Sequence, residues 1–270
     1  LAFAENRWVL TVAENARPFY NTWIGQFSGP YFYLFLLGSI LLFYETVKPL
    51  QRLKHRLILT GMFILFLMGL IYSKYAPQSL LNGESSLSIV LYLGSFILFF
   101  GGIAILYLWT YYKRREVYTQ VLSFDKKFTF LLIWLIFMII SARAAIRLFI
   151  VVVPISAIIV SYLFFSTVDF LKKHVPSKYN ILKIIGIALI VLLFAIPLYS
   201  FANISTQQAS NSGPSYNVQW QFAMDWVQKN TLPTAVFAHW WDYGYWVQWG
   251  GRRATVSDGG NARGYAINYF

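Results

Sequence analysis

Six stretches of mostly apolar residues, 30–47, 57–73, 87–111, 127–142, 147–170 and 183–201, alternate with short polar and basic segments. About 20 such residues let a helix cross the hydrocarbon core of a bilayer, so the pattern predicts about six spans. The fourth and fifth runs nearly touch across residues 141–147. One helix through both would be about 65 Å long, over twice the ~30 Å core. The chain is therefore expected to turn near Arg143 and Arg147. Beyond 201 the pattern changes. Residues 202–217, rich in Ser, Asn and Gln, read as a polar linker. An amphipathic helix is predicted at 218–229, with Trp220, Phe222 and Trp226 among polar neighbours, ended by Thr231-Leu232-Pro233. Residues 234–238 read as a short strand, Trp240 onward as a loop and helical turn, and 253–257 as a second strand. The expected organisation is an external loop at 1–30, a transmembrane region at 31–201, the linker at 202–217, and the start of a mixed α/β extracytoplasmic domain at 218–270.

Composition agrees with a membrane protein. Hydrophobic residues make up 58% and charged residues 12%, about half the charge of a soluble domain, and the mean hydropathy is +0.54. Disorder is excluded by the same apolar content. With no Cys and three scattered His, disulfide, thiolate and His-based zinc chemistry drop out. The net charge of +12 raises nucleic acid as a partner, but the position of the charges removes it. Loops 48–56, 112–127 and 171–183 carry thirteen of the 22 Lys and Arg, whereas 74–86 and 143–147 carry Lys74, Arg143 and Arg147 alone. Cytoplasmic loops hold the excess of Lys and Arg, so the first three loops are expected inside and both ends of the chain outside. The chain opens at Leu1 and stops within a polar, aromatic-rich stretch, and is expected to be an internal piece of a longer protein.

Three clusters on the expected external side carry candidate chemistry. The first is His239-Trp-Trp-Asp-Tyr-Gly-Tyr-Trp246. An interfacial aromatic belt is its ordinary reading, yet an Asp between indoles is unusual there. Aromatic walls exclude water, and a carboxylate among them gains strength as a hydrogen-bond acceptor for a Ser or Thr hydroxyl. The second cluster is Thr11-Val12-Ala13-Glu14, with Pro18 and Trp23 following, just before the first span. A solvated loop glutamate is the ordinary reading. The third is Arg143 and Arg147, four apart and so on one helical face. Snorkelling explains many such arginines, but these lie where the positive-inside rule disfavours them, and Arg suits bidentate binding of phosphate.

Taken together, these motifs resemble a known family. Trp240-Trp241-Asp242-Tyr243-Gly244 is similar to the signature pentapeptide of the catalytic subunit of oligosaccharyltransferase, of the single-subunit archaeal and bacterial kind. Asn230, Thr231 and Pro233 before it, and Arg253 through Asp258 after it, resemble the family too. Thr11-Val12-Ala13-Glu14 resembles its Thr-Ile-x-Glu or Ser-Val-Ser-Glu loop, and Arg147-Leu148 followed by Pro154 resembles the segment whose Arg meets the lipid diphosphate. The resemblance spans most of the chain except about 50–112, where this sequence carries two spans more than the usual pattern.

The resemblance implies a GT-C-like polytopic α-helical protein in the cell membrane of an archaeon or bacterium, with its catalytic face extracytoplasmic. It implies transfer of an oligosaccharide from a lipid-linked donor, a polyprenyl phosphate or diphosphate, to the side-chain amide of Asn in Asn-x-Ser/Thr. That nitrogen is a poor nucleophile because its lone pair is delocalised into the carbonyl. Carboxylates gripping its N–H bonds would weaken the conjugation, and Glu14 is the candidate for one grip and for a metal ligand. The metal implied is Mg²⁺ or Mn²⁺, in keeping with oxygen ligands, with further acidic ligands upstream of Leu1. Arg147 is the candidate for the diphosphate, with Arg143 second. Trp240, Trp241 and Asp242 would hold the +2 Ser or Thr of the acceptor polypeptide. The piece alone is expected to be inactive. Another membrane glycosyltransferase using polyprenyl-phosphate sugars is the alternative reading; it has no need of a hydroxyl-reading Trp-Trp-Asp slot. A transporter or receptor is the third, expected to show the broken helices or repeats that mark such folds.

Overall fold

The computed structural model describes residues 13–258. Thr11 and Val12, and residues 259–270, lie outside the described residues. The chain divides into two compact units between Asn203 and Ile204, and each is described by itself.

The first unit is helical. Helix α1 (Tyr20–Phe27) meets α2 (Gly29–Thr46) at 101°. Ser28 forms the corner at a positive φ of 59°, and Gly29-Pro30 opens α2, where proline costs no intrahelical bond. Then follow α3 (Leu53–Tyr72), α4 (Ser86–Phe96), a π-helical turn (Ile97–Gly101) and α5 (Gly102–Lys113). A short helix α6 (Arg115–Leu122) leads to α7 (Lys126–Ala144), α8 (Phe149–His174) and α9 (Asn180–Asn211). Among the described residues five helical segments are long and apolar enough to cross a membrane, and the bent α1–α2 pair makes up to six. The about six spans read from the sequence are thus met, and the chain has the makeup of a polytopic membrane protein.

Helix α2 is central: it packs on α8, α7 and α3, while α3 pairs with α4 and α7 with α8. Aromatic rings fill the interior. Phe43, Phe63 and Phe66 pack with Phe99 at 4.5–5.8 Å between neighbouring centroids, except the more distant Phe63–Phe66 pair at 6.3 Å. Lipid tails are as apolar as leucine, so close packing rather than water exclusion holds such helices together. At Gly38 a Cβ would lie 2.7 Å from Ile159 Cγ2 and 2.9 Å from its carbonyl oxygen. The α2–α8 crossing therefore depends on the missing side chain.

Several expectations are corrected. The 1–30 loop contains a helix, α1, because Tyr20, Trp23 and Phe27 fall on one face and are buried. The 202–217 stretch is helical as far as Asn211. Nothing in 202–211 stops a helix, and the first breakers are Gly213 and Pro214. Helix α9 is thus 32 residues long, about 48 Å at the helical rise.

The two ends of the bundle are distinguishable. At one, the loop after α2 touches α6, with Gln51 N–H donating to Gln120 Oε1 at 3.1 Å. At the other lie the 73–85 connection, the turn before α1 and the α7–α8 bend, tied to one another by bonds described below.

The second unit contains α10 (Val218–Asn230), strand β1 (Val236–Phe237), a 3-10 turn (Trp241–Tyr243), α11 (Gly244–Trp249) and β2 (Ala254–Thr255). The strands pair in parallel, Val236 with Ala254 and Phe237 with Thr255. Met224 and Val227 of α10 bury against Val247 of α11. The buried face of α10 is thus Trp220, Met224 and Val227, whereas Phe222 and Trp226, singled out in the sequence, are exposed.

Replacing Gly38 by Val is expected to destabilise the bundle by about 1–3 kcal/mol, the usual cost of overpacking. Gly61→Ala, where a Cβ meets nothing within 4 Å, serves as the neutral control. Unfolding in mixed detergent measures both, and equal stabilities would contradict the crossing.

Candidate functional site

The first unit brings two short turns together. One is the 3-10 turn Ala13–Asn15 carrying Glu14, and the other is the 3-10 turn Ile146–Leu148 carrying Arg147. Helix α7 stops at Ala144, Ala145 is extended (φ −156°, ψ 144°), and the chain re-enters a helix at Phe149. The turn expected near Arg143 and Arg147 is therefore present. Leaving the helix frees backbone donors, and the Ile146 N–H is satisfied by the Ala16 carbonyl at 3.0 Å. That bond pins the Glu14 turn to the Arg147 turn.

The loop between Glu14 and α1 is fixed further on. Pro18 is buried, and Tyr20 N–H donates to Lys74 C=O at 3.0 Å. The Tyr20 ring stacks on Tyr72 (4.9 Å) and Tyr75 (5.2 Å), and its hydroxyl meets that of Tyr33 at 2.6 Å. Against this rigid base Glu14 and Arg147 are both exposed, and neither joins an ion pair among the described residues. A carboxylate and a guanidinium on neighbouring turns, both left in reach of solvent, are free to meet polar ligands.

Arg143 has a different fate. The break at Ala145 means that Arg143 and Arg147 do not share a helical face, contrary to the reading from their spacing. Arg143 is buried, donates through Nε to the Leu70 carbonyl at 3.0 Å, and sits over the Tyr92 ring at 5.5 Å. Of the two arginines it is Arg147 whose side chain is exposed.

Among the described residues no three His, Cys, Asp or Glu side chains gather around one point. Glu14 and the neighbouring Asn15 Oδ1, which is buried with no hydrogen-bond partner among them, are oxygen donors of the kind a hard divalent cation takes. They fit such an ion as two donors of a shell of about six oxygens, the rest of which these residues would not supply.

In the second unit the 240–244 segment forms the 3-10 turn and the start of α11. Trp240 is partly exposed, Trp241 is half-buried and Asp242 is exposed, with no ion pair among the described residues. Its neighbours anchor the turn. Tyr243 stacks on Trp220 at 4.9 Å, and Trp220 lies 4.8 Å from Trp246. His239 Nδ1 is 2.8 Å from the Trp240 carbonyl. At Gly244 a Cβ would lie 2.5 Å from the Ser257 carbonyl and 2.6 Å from Asp258 Cα, so glycine is needed where the turn crosses the strand exit.

Arg253 was passed over in the sequence as a site residue, and it proves structural. It is buried and bonds Gln228 O (2.8 Å), Thr231 O (2.7 Å) and Thr231 Oγ1 (2.9 Å), so it caps the carbonyls at the end of α10. It thereby ties α10 to β2.

No family model matches the chain, and no solved structure does. Over 106 residues, 36% of the chain, it is 31% identical to dolichyl-phosphooligosaccharide-protein glycotransferase 1 of Pyrococcus furiosus, of which those residues are 10%. The chain is similar to archaeal oligosaccharyltransferases. The Pyrococcus horikoshii protein of the same name is 31% identical over 101 residues, 36% of the chain and 10% of the relative. A Methanocaldococcus jannaschii dolichyl-phosphooligosaccharide-protein glycotransferase is 27% identical over 93 residues, 34% of the chain and 9% of the relative. The chain spans about a tenth of the length of the curated relatives it matches. Their names agree with the family resemblance read from the sequence.

Gly244→Ala is expected to cost the second unit about 1–3 kcal/mol and to speed proteolysis or amide exchange around 254–258. Gly213→Ala, with open space around it, should leave both unchanged. Equal protection in the two variants would refute the close approach.

Proposed function

We infer that the chain is the membrane-embedded part, with the opening of the extracytoplasmic α/β domain, of an oligosaccharyltransferase. The reaction is transfer of an oligosaccharide from a polyprenyl phosphate or diphosphate to the Asn side chain of Asn-x-Ser/Thr. The observation that carries this reading is the Glu14 turn bonded to the Arg147 turn through Ile146 and Ala16, in a chain similar to enzymes named for this transfer. A carboxylate for the acceptor and a cation for the leaving group are needed on either side of one reacting carbon, and these turns supply that pair of charges.

The residues then take the following roles. The bond from the anomeric carbon to the phosphate oxygen breaks as the carbon–nitrogen bond forms, the phosphate oxygen leaves with the electron pair, and the proton lost by the amide nitrogen passes to solvent. Glu14 accepts a hydrogen bond from the acceptor amide and so weakens its conjugation. Arg147 sets fixed positive charge beside the departing phosphate, where charge develops. A bound Mg²⁺ or Mn²⁺ would act there as a Lewis acid, with Glu14 among its ligands. Trp240, Trp241 and Asp242 hold the +2 hydroxyl and place the Asn for attack. A site built to bond a hydroxyl rejects an analogue without one, which accounts for a sequon. The basic loops support an orientation with 48–56, 112–127 and 171–183 in the cytoplasm and the Glu14 and Arg147 turns outside. The relatives' names specify a protein acceptor, which favours this reading over a glycosyltransferase with another acceptor.

The test uses the full-length protein, a labelled lipid-linked oligosaccharide, and Asn-x-Thr and Asn-x-Ala peptides. Asp242→Ala is expected to raise the Asn-x-Thr KM about 10–100-fold, the loss of one hydrogen bond to a charged group worth about 1.5–3 kcal/mol. Glu14→Gln should lower turnover about 100-fold or more with little change in peptide KM, and a chelator should stop transfer until Mg²⁺ or Mn²⁺ is restored. Equal glycosylation of the two peptides would defeat the hydroxyl slot. Full turnover in Glu14→Gln would defeat its role.

A further inference from the structure

The part of the chain outside the family resemblance, about 50–112, is not a separate appendage. Its α3 ends at Tyr72, and the last four carbonyls of any helix lack intrahelical partners. One of them, that of Leu70, accepts the Arg143 Nε–H at 3.0 Å. A cation at a helix C-terminus is favoured by the dipole as well. Two residues beyond the helix, the Lys74 carbonyl accepts the Tyr20 N–H at 3.0 Å. Arg143 closes α7 immediately before the Arg147 turn, and Tyr20 opens α1 immediately after the Glu14 loop. The same helix end therefore holds both turns, one from each side, while the Ile146–Ala16 bond joins them directly.

This helix end is itself stiff. Gly69 lets α4 approach so closely that a Cβ would sit 2.2 Å from Ser95 Oγ. The connection is braced by the Lys74–Asn82 bridge, a Tyr75 N–H to Leu81 C=O bond of 2.6 Å, and the Ser85 cap on α4. Helix α4 also supplies Tyr92, the ring under Arg143. Losing the guanidinium removes a hydrogen bond to α3 and a ring contact with α4. Among the described residues the Ile146–Ala16 main-chain bond then remains between the Arg147 and Glu14 turns.

We propose that the α3–α4 hairpin is a positioning frame for the site, and that Arg143 is the positioning residue that locks the Arg147 turn in register with the Glu14 turn. Arg143 acts through backbone placement and contacts no substrate. The effect on transfer rests on the function proposed above, while the effect on geometry does not.

The two are separated by one set of variants in the full-length protein. The 270 residues contain no cysteine, so a pair introduced as Ala16→Cys and Ile146→Cys has no competitor among them. Arg143→Met is expected to slow oxidative cross-linking of that pair about tenfold or more. In the background without the pair it should lower turnover about 10–100-fold, the scale of a misplacement near 1 Å, with the acceptor-peptide KM unchanged. Tyr92→Phe, which keeps the ring face, should leave both near their starting values, and Tyr92→Leu should fall between. If Arg143→Met does not accumulate in membranes, Arg143→Lys keeps the charge without the fork and should give the same slowing to a smaller degree. Unchanged cross-linking in Arg143→Met or Arg143→Lys would overturn the proposal. Slowed cross-linking with undiminished transfer would support the lock and instead overturn the role given to the Glu14 and Arg147 turns.

Discussion

A helix that ends at the edge of a bilayer leaves amides and carbonyls without partners, and in an apolar setting each must find one. The break at Ala145 leaves groups of this kind. Two apolar runs too long for one helix force it, and the freed Ile146 N–H finds the Ala16 carbonyl. The adjacency of the Glu14 and Arg147 turns is thus a by-product of backbone satisfaction. No ion pair between the two charged residues is required, and none is made. That leaves both side chains available, which a salt bridge between them would not. Chemistry on two charges of opposite sign needs them close and yet uncommitted, and a main-chain bond achieves both.

The same accounting explains why the neighbouring arginine is unavailable. Four residues of spacing put Arg143 and Arg147 together on paper, but only an unbroken helix makes that spacing a shared face. Once the chain kinks, Arg143 turns to the end of α3, where an unsatisfied carbonyl and an aromatic ring accept it. A guanidinium cannot shed its proton to enter an apolar site, so its partners decide its position. A residue four positions on, with no such partners, stays exposed. The chemical difference between the two arginines is set by what lies beside them, and both partners, Leu70 and Tyr92, come from the region that the family resemblance does not cover.

What the sequence made legible follows from the kind of signal each feature leaves. The spans were readable because twenty apolar residues in a row have one common explanation, and the 101° corner was not, because a bend leaves no run to count. Helix α1 was hidden by its shortness, although Tyr20, Trp23 and Phe27 at positions i, i+3 and i+7 are the trace it leaves. The tail of α9 was hidden by polarity: Ser, Thr, Asn and Gln are neutral rather than helix-breaking, and a helix already nucleated continues through them. The motif pentapeptide was the easiest to find and the least informative about geometry. Its turn is shaped by residues far along the chain, namely the Trp220 ring, the Ser257 carbonyl that excludes a side chain at 244, and the Arg253 cap on α10. Arg253 reads in the sequence as the first residue of a short strand in the segment that resembles the family, and only the orphan carbonyls at the end of α10 show what its side chain does.

The two motifs also differ in how they are supported. The Trp240 to Gly244 turn sits in the second unit, where Met224, Val227 and Val247 are buried together among the described residues, beside strands of two residues each. There the turn is held by the stacking of Tyr243 on Trp220, and the Arg253 bonds fix the end of α10. The Glu14 and Arg147 turns rest on a bundle with many fully buried rings and a tyrosine stack at its end. For the reaction proposed here that division is physically apt. Stabilising charge at a departing phosphate needs donors fixed in advance, because reorganisation at that moment raises the barrier. The buried rings and the tyrosine stack at the end of the bundle supply that fixity to the backbone of the Glu14 and Arg147 turns, while the side chains of both residues stay exposed.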